Sequence, residues 1–266
     1  MGVFLEKLCR FVAKIYDMLS KNKIKYIHSL ELKKNRFSEN SFVAEGPKVV
    51  GDLLPHMHCR LLVALPEWLV THPSAKADEI VEATADELSR ASFLRAPQDV
   101  LGVFSIPKSS PSCMTTDLML ALDEVQDPGN LGTIIRLADW FGIRQIVCSE
   151  GTVDAFSPKV VQATMGAIAR VNIRYVSLPS FLSSLPEGTP VYGTFLDGHV
   201  IYDAPLSESG IIVMGNEGNG ISHAVADCVT DRLFIPSFPV GVETSESLNV
   251  AVATAITCSE FRRRRR

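Results

Sequence analysis

The chain has 266 residues, of which 46% are hydrophobic and 21% charged, and its formal net charge is −4. This composition is typical of a globular protein of about two domains. No apolar run approaches the roughly 20 residues that cross a bilayer, so we expect no membrane span. The negative net charge argues against a protein that simply wraps nucleic acid.

The basic residues are concentrated at the front of the chain. Residues 1–60 contain eight lysines and three arginines against six acidic residues, which indicates either a nucleic-acid-facing module or a solvated face. Residues 1–17 predict an amphipathic helix rather than a secretory signal, because charged residues interrupt the apolar ones. The six cysteines form no Cys-x-x-Cys pair, so we expect no metal site and a cytoplasmic protein.

Residues 18–103 predict a small α/β domain. Ser20 is a suitable N-cap for a helix over residues 20–34, and Pro47 suits the first turn of another helix. Runs of apolar and β-branched residues predict four strands, at 41–46, 59–65, 78–83 and 100–106. The stretch 104–117 is rich in Pro and Ser and predicts a linker.

Residues 118–266 predict a second α/β domain in which strands and helices alternate. Its first segment, 118–125, is a near-continuous apolar run, as expected for a strand buried on both faces of a parallel sheet. Helices are predicted at 130–142, 157–171 and 246–261, and further strands at 144–149, 171–178, 190–196, 210–215 and 232–237. This alternation indicates a doubly wound parallel sheet.

Glycines 215, 218 and 220 follow one of these strands, in the stretch VMGNEGNGIS. Their spacing differs from the Gly-x-Gly-x-x-Gly of dinucleotide sites, and no Gly-Lys-Ser or Gly-Lys-Thr ends the stretch as in a Walker loop. A glycine turn at the carboxyl end of a parallel strand lies where open α/β sheets bind ligands. Taken alone, the motif fits a ligand site and a plain tight turn equally well.

Three stretches together resemble the SpoU/TrmH branch of the SPOUT RNA methyltransferases. The first places an Arg six residues after an Asn, here Asn130 and Arg136. The second is the glycine turn with Glu217, and the third runs from Ile-Pro at 235–236 to Ser-Leu-Asn-Val at 247–250 and into a helix. Residues 20–54 are similar to the ribosomal-protein-like substrate-binding domain that precedes the methyltransferase domain in this family.

The resemblance implies an α/β fold whose C-terminal segment threads a loop to make a trefoil knot, a rare exception among chain topologies. It implies S-adenosylmethionine (SAM) as the methyl donor and a homodimer whose active site draws on both knots. The implied cofactor-binding residues lie on the knot loops: Thr194, Phe195, Leu196, Gly215, Asn216, Gly218, Ile235, Pro236, Ser247 and Leu248.

The implied catalytic residues are Arg136, Asn130, Glu217 and Asn249. Because a guanidinium stays protonated, Arg136 is expected to clamp a phosphate and stabilise the developing alkoxide rather than act as a base. Asn130 and Asn249 are expected to hold Arg136 and the ribose. Glu217 is expected either to pair with Arg136 or to accept hydrogen bonds from backbone amides of the knot.

The expected reaction is methyl transfer to a ribose 2′-hydroxyl, and the front domain makes rRNA a better match than tRNA. This domain is expected to contact RNA phosphates through six basic residues: Lys21, Lys23, Lys25, Lys33, Lys34 and Arg36. Alternatives are a tRNA 2′-O-methyltransferase, a base methyltransferase, and a non-catalytic member of the fold that binds RNA or SAM. Two features depart from the family pattern: the added residues 1–17 and the longer loop at 237–246.

Overall fold

The computed structural model describes residues 19–107, 117–239, 242 and 245–263. The helix predicted over residues 1–17 lies outside the described residues, as do most of the predicted linker and four positions of the 237–246 loop. Contacts divide the chain into two compact units; the first runs to Ile106 and includes Phe156–Pro158, and the second comprises the rest. No helix in the described ranges combines the length and apolar character of a membrane span.

The first unit is built on a four-stranded mixed sheet. In chain order its elements are α1 (Lys21–Ser29), α2 (Lys33–Glu39), β1 (Ser41–Glu45), α3 (Pro47–Leu53), β2 (Cys59–Ala64), α4 (Pro66–Thr71), β3 (Glu79–Glu82), α5 (Ala85–Ala91) and β4 (Val100–Ser105). The sheet order is β1-β4-β2-β3, with β4 antiparallel to both neighbours and β2 parallel to β3. The four predicted strands and the helix at Pro47 are confirmed.

The helix predicted over residues 20–34 is in fact two helices. Ser20 caps the first as expected, because its hydroxyl accepts a hydrogen bond from the Lys23 amide. However, α1 ends at Ser29 and α2 begins at Lys33. The apolar spacing alone did not mark this break, since both helices follow the same basic, periodic pattern.

Arg36 holds the junction between these two helices. It is only 3% exposed, and its Nη1 donates to the carbonyl oxygens of Leu30 and Glu31 at 2.8 and 2.6 Å. The neighbouring Asn35 donates its Nδ2 to the carbonyl oxygen of Ser29 at 2.7 Å. The expectation that Arg36 contacts RNA is therefore wrong, because its guanidinium is buried and serves the carbonyl groups at the end of α1.

A seven-stranded sheet forms the second unit. The remaining elements in chain order are β5 (Leu118–Leu122), α6 (Pro128–Trp140), β6 (Gln145–Cys148), α7 (Pro158–Ala163), a 3-10 turn (Ala167–Ala169), β7 (Asn172–Tyr175), α8 (Leu178–Ser183), β8 (Val191–Phe195), β9 (His199–Val200), β10 (Gly210–Met214), α9 (His223–Ala226), β11 (Asp231–Phe234) and α10 (Val250–Arg263). The order is β7-β6-β5-β10-β8-β11-β9, and every pairing is parallel. The predicted parallel sheet is confirmed, whereas the trefoil knot stays a prediction.

The predicted elements of this unit occur where expected but differ in their bounds, most of all the helix predicted over 157–171. Strand β5 is buried at all five positions, as its apolar run predicts. The helix predicted over 157–171 is wrong in its second half, because α7 ends at Ala163 and the chain then turns at Met165 and Gly166. Both residues have positive φ, 51° and 92°, and a left-handed backbone cannot continue an α-helix.

Close packing fixes the position of α6, the helix that carries the first motif. A Cβ atom at Gly132 would lie 2.3 Å from the Cβ of Ala163, so only glycine permits this approach. Helix α10 packs against α6. At the C-terminal end of α6, Arg262 Nε donates to the Phe141 carbonyl oxygen at 2.8 Å. The helix that carries the first motif and the helix that follows the third motif are therefore packed together.

Candidate cofactor pocket and active site

Three adjacent parallel strands, β10, β8 and β11, end at one cavity of about 710 Å³. The residues that follow these strands line it, together with the segment that leads into α10. Its volume is that of a small-molecule site, for which roughly 300–1,000 Å³ is usual. The structure places all ten predicted cofactor residues on its wall: Thr194, Phe195, Leu196, Gly215, Asn216, Gly218, Ile235, Pro236, Ser247 and Leu248.

The glycine turn after β10 is closed by its own backbone. Asn216 and Gly220 exchange two backbone hydrogen bonds, at 2.8 and 3.0 Å, and Gly220 has a φ of +69°. A Cβ atom at Gly215 would lie 2.2 Å from the carbonyl carbon of Gly220. Glycine is therefore required at position 215, where the turn brings the Gly220 backbone close. At Gly218 an added Cβ atom would lie no closer than 3.6 Å to its nearest neighbour.

The same turn is tied to the segment between β5 and α6. Asn216 donates its Nδ2 to the carbonyl oxygen of Glu124 at 2.7 Å. Glu217 accepts from the backbone amides of Gln126 and Asp127, each at 3.3 Å. Glu217 thus binds backbone amides rather than Arg136, but these amides lie between β5 and α6 and not on the expected knot loops.

Glu217, Asn130 and Asn249 form one hydrogen-bonded chain. Asn130 donates its Nδ2 to Glu217 Oε1 at 3.0 Å, and Asn249 donates its Nδ2 to Asn130 Oδ1 at 2.9 Å. The Asn249 side-chain oxygen in turn accepts from the amides of Ala251 and Val252 in the first turn of α10. One residue from each motif therefore meets the others, with Glu217 also lining the cavity.

The environment of Glu217 favours its ionised form. Partial burial by itself would raise the pKa of this carboxyl. Hydrogen bonds from the Asn130 side chain and from the backbone amides of Glu217, Asp127 and Gln126 oppose that effect and leave the pKa below its ordinary value of 4.5. At neutral pH Glu217 is thus a carboxylate whose oxygens already accept several donors.

Arg136 lies on α6 but outside this chain. Its side chain is exposed, and none of the hydrogen bonds found among the described residues joins it to Asn130, Glu217 or Asn249. The expectation that Asn130 and Asn249 hold Arg136 is not met, because they hold each other. One turn further along the helix, Trp140 is also exposed, at 84%.

The predicted RNA-binding lysines fall into two groups. Lys23 pairs with Glu79 at 2.6 Å, and its side chain is only 20% exposed. The other four lie on the surface of α1 and α2: Lys21, Lys25, Lys33 and Lys34. These four side chains are exposed and so accessible to a phosphate, whereas Lys23 is engaged by Glu79.

The cavity wall includes residues that the sequence did not mark, Asp197 among them, and Arg232 contacts two of the wall residues. Arg232 lies over the Phe195 ring, with its Cζ 3.5 Å from the ring centroid, and pairs with the carboxylate of Asp197. Phe195 and Asp197 both line the cavity, so Arg232 braces this part of the wall. Strand register brings the group together, since Arg232 on β11 lies opposite Gly193 on β8, and no local signal marks it.

The region from β5 to α10 matches a known family. Residues 117–259 match the SpoU rRNA methylase family, and residues 21–102 match the MRM3-like substrate binding domain. The chain belongs to the SpoU rRNA methylase family. The family assignment predicted from the three motifs is thereby confirmed.

Three similar proteins match over both units. The 23S rRNA (guanosine(2553)-2′-O)-methyltransferase RlmP of Bacillus subtilis is 34% identical over 244 residues, which cover 90% of this chain and 96% of RlmP. A solved TrmH-family structure from Porphyromonas gingivalis is 48% identical, with a TM-score of 0.87, over 93% of this chain and 100% of its own. An AdoMet-bound rRNA methyltransferase from Sinorhizobium meliloti is 31% identical, with a TM-score of 0.81, over 93% and 98%. These likenesses confirm the predicted α/β fold class, while the knot stays a prediction.

Proposed function

We propose that this chain transfers a methyl group from SAM to a ribose 2′-hydroxyl of rRNA. The observation that carries the proposal is the meeting of all three motifs, through Glu217, Asn130 and Asn249, at the edge of a cavity of cofactor size. RlmP, which matches nearly the whole chain, acts by its name on a guanosine 2′-O position of 23S rRNA. This likeness favours rRNA over tRNA as the substrate.

The cavity suits SAM in its chemistry as well as in its size. Ile235, Pro236 and Leu248 provide apolar wall for a purine, and Thr194 and Asp197 provide polar groups for the ribose and the amino acid portion. When bound, SAM supplies an activated methyl group on its sulfonium sulfur. The AdoMet-bound relative from Sinorhizobium meliloti supports this choice of cofactor.

In this proposal Arg136 binds the phosphate beside the target ribose and stabilises the alkoxide that develops on the 2′-oxygen. The proton of the hydroxyl passes to that phosphate or to water, since a guanidinium stays protonated. Glu217 is not the base, because its carboxylate already accepts hydrogen bonds that hold the fold. The hydrogen-bonded chain of Glu217, Asn130 and Asn249 instead positions the start of α6 relative to α10. Helix α6 carries Arg136.

The active form in this proposal is a homodimer. Trp140 on α6 is 84% exposed and Val252 on α10 is 48% exposed, and these two helices pack against each other. Large apolar side chains exposed on adjacent elements are typical of protein interfaces. Arg136 is also exposed on α6, so a second subunit on this surface can complete its site.

The test is methylation of total RNA from cells that lack this gene, using purified protein and labelled SAM, followed by mapping of the label. We expect one 2′-O-methylated ribose in rRNA. Label found only in tRNA would contradict the substrate class, and label on a base would contradict the reaction. Absence of label, with S-adenosylhomocysteine still bound, would favour a non-catalytic member of the fold.

A further inference from the structure

Phe37 is an aromatic side chain that the fold leaves at the surface. It lies on α2 and is 56% exposed, and Leu32 at the start of the same helix is 53% exposed. Single exposed apolar residues are common in soluble proteins, so exposure alone assigns no role. Two further features of α2 distinguish Phe37 from such residues: the cations around the ring and the rigidity of the helix.

The cations come from the same helix and from α1. The ammonium nitrogen of Lys33 lies over the Phe37 ring, 5.8 Å from its centroid, one helical turn away. Lys34 and, on α1, Lys21 and Lys25 are also exposed. Residues 21–39 contain five lysines and one arginine against two glutamates, so the surface around the ring is positive.

The rigidity comes from the inner face of α2. Arg36 donates to two carbonyl oxygens, of Leu30 and Glu31, and Asn35 donates to that of Ser29. The residue before Phe37 is thus locked into the end of α1, and the helix that presents the ring is fixed before any ligand arrives. A preorganised surface loses little conformational entropy on binding.

We propose that an unpaired nucleotide of the RNA substrate stacks its base on Phe37 and places its phosphate beside Lys33 and Lys34. An exposed ring next to cations is the arrangement by which proteins bind single-stranded nucleic acid. A duplex does not fit, because its bases are already stacked on their neighbours. The inference rests on the proposed RNA substrate and names the form of RNA that the front unit holds.

The experiment uses the full chain and a single-stranded oligoribonucleotide of about 12 nucleotides, with one central 2-aminopurine, the length reflecting usual single-strand site sizes. Stacking on Phe37 quenches the 2-aminopurine. We expect Phe37→Ala to weaken binding about tenfold or more and to remove the quenching, while Phe37→Trp retains both. Val70→Ala is the matched control, because Val70 is an exposed apolar residue of α4 in the same unit.

The salt dependence of binding distinguishes the contribution of the Phe37 ring from that of the lysines. Lys34→Ala should reduce the slope of log affinity against log salt by about 0.7, the value for one single-strand phosphate, while Phe37→Ala leaves the slope unchanged. Unchanged affinity and quenching in Phe37→Ala would overturn the inference, as would an equal loss for a matched duplex. Methylation of rRNA by wild type together with either result would show that only this inference, and not the proposed function, has failed.

Discussion

Asn249 donates its side-chain amide to the side-chain oxygen of Asn130 at 2.9 Å, across 119 positions of the chain. The direction of this bond is set at both ends. The Glu217 carboxylate can only accept, so Asn130 turns its NH₂ group toward it and its oxygen toward Asn249. The amides of Ala251 and Val252 can only donate, so Asn249 turns its oxygen toward them and its NH₂ group toward Asn130.

Replacement of Asn130 tests this direction. Asn130→Ala removes two hydrogen bonds of about 1 kcal/mol each and should lower the free energy of unfolding by about 2 kcal/mol. Asn130→Asp keeps the shape but turns a charged acceptor toward Glu217, so we expect a loss of about 3 kcal/mol or more at neutral pH. Urea unfolding of both variants measures the ranking. An aspartate variant as stable as wild type would contradict the assigned direction.

The lowered pKa of Glu217 predicts a pH dependence of stability. A carboxyl whose pKa is lowered by folding stabilises the protein at a pH above its pKa in the unfolded chain, which is ordinarily 4.5. That contribution is lost as the pH falls through the pKa of the folded state. The difference in unfolding free energy between wild type and Glu217→Gln should therefore be largest at about pH 7 and shrink below about pH 4. Urea unfolding across this range provides the measurement. A difference that is constant with pH would show that the carboxylate charge contributes nothing.

Arg136→Ala should leave folding and SAM affinity nearly unchanged but lower turnover by about a hundredfold, the scale of losing one transition-state donor. Arg136→Lys should recover little, because a point charge does not reproduce the planar fork. Single-turnover methylation at saturating SAM separates chemistry from binding. Arg144→Ala, another exposed arginine of the same unit, serves as the control. Normal turnover in Arg136→Ala would move the catalytic assignment to another residue.

Two glycines of the cavity wall should respond differently to alanine. At Gly215 the new Cβ meets the Gly220 backbone at 2.2 Å, so Gly215→Ala should lower stability and abolish binding of S-adenosylhomocysteine together. At Gly218 the nearest atom is 3.6 Å away, so Gly218→Ala should fold normally and weaken binding only by narrowing the cavity. Calorimetry with each variant and a thermal melt give both quantities. Full binding by Gly215→Ala would remove the cofactor assignment from this turn.

Trp140→Glu should convert the proposed homodimer into a monomer, because it places a charge in an apolar contact. Sedimentation equilibrium measures the mass in solution. Val70→Glu, at an exposed apolar residue of the first unit, should keep the wild-type mass. A dimeric Trp140→Glu variant would place the interface elsewhere, and a monomeric wild type would contradict the dimer itself.

Local chemistry was enough to predict much of this molecule. The apolar run of β5 is buried at every position, and Pro47 begins its helix as its fixed φ suggests. The three loops that line one cavity were implied by the family resemblance and not by local chemistry. The features of β5 and Pro47 follow from short stretches of sequence, so the sequence alone carries them.

Contacts between residues that are far apart in the sequence could not be predicted from it. Arg36 has the same basic character as its exposed neighbours, and only the position of the α1 carbonyl groups shows that it is buried. Glu217 was expected to bind either Arg136 or backbone amides. The amides that it binds belong to residues about 90 positions away in the sequence. Arg232 is aligned with Gly193 by strand register alone. Each of these outcomes depends on tertiary packing, which no local pattern encodes.

The hydrogen-bonded chain joins residues that leave the ribosome at very different times. Asn130 emerges first, Glu217 follows, and Asn249 arrives after a further 32 positions, so the link between α6 and α10 forms only when all three are free. A growing chain folds its N-terminal unit first. The front unit thus folds before the link between α6 and α10 can form, and a copy that terminates before residue 249 lacks that link.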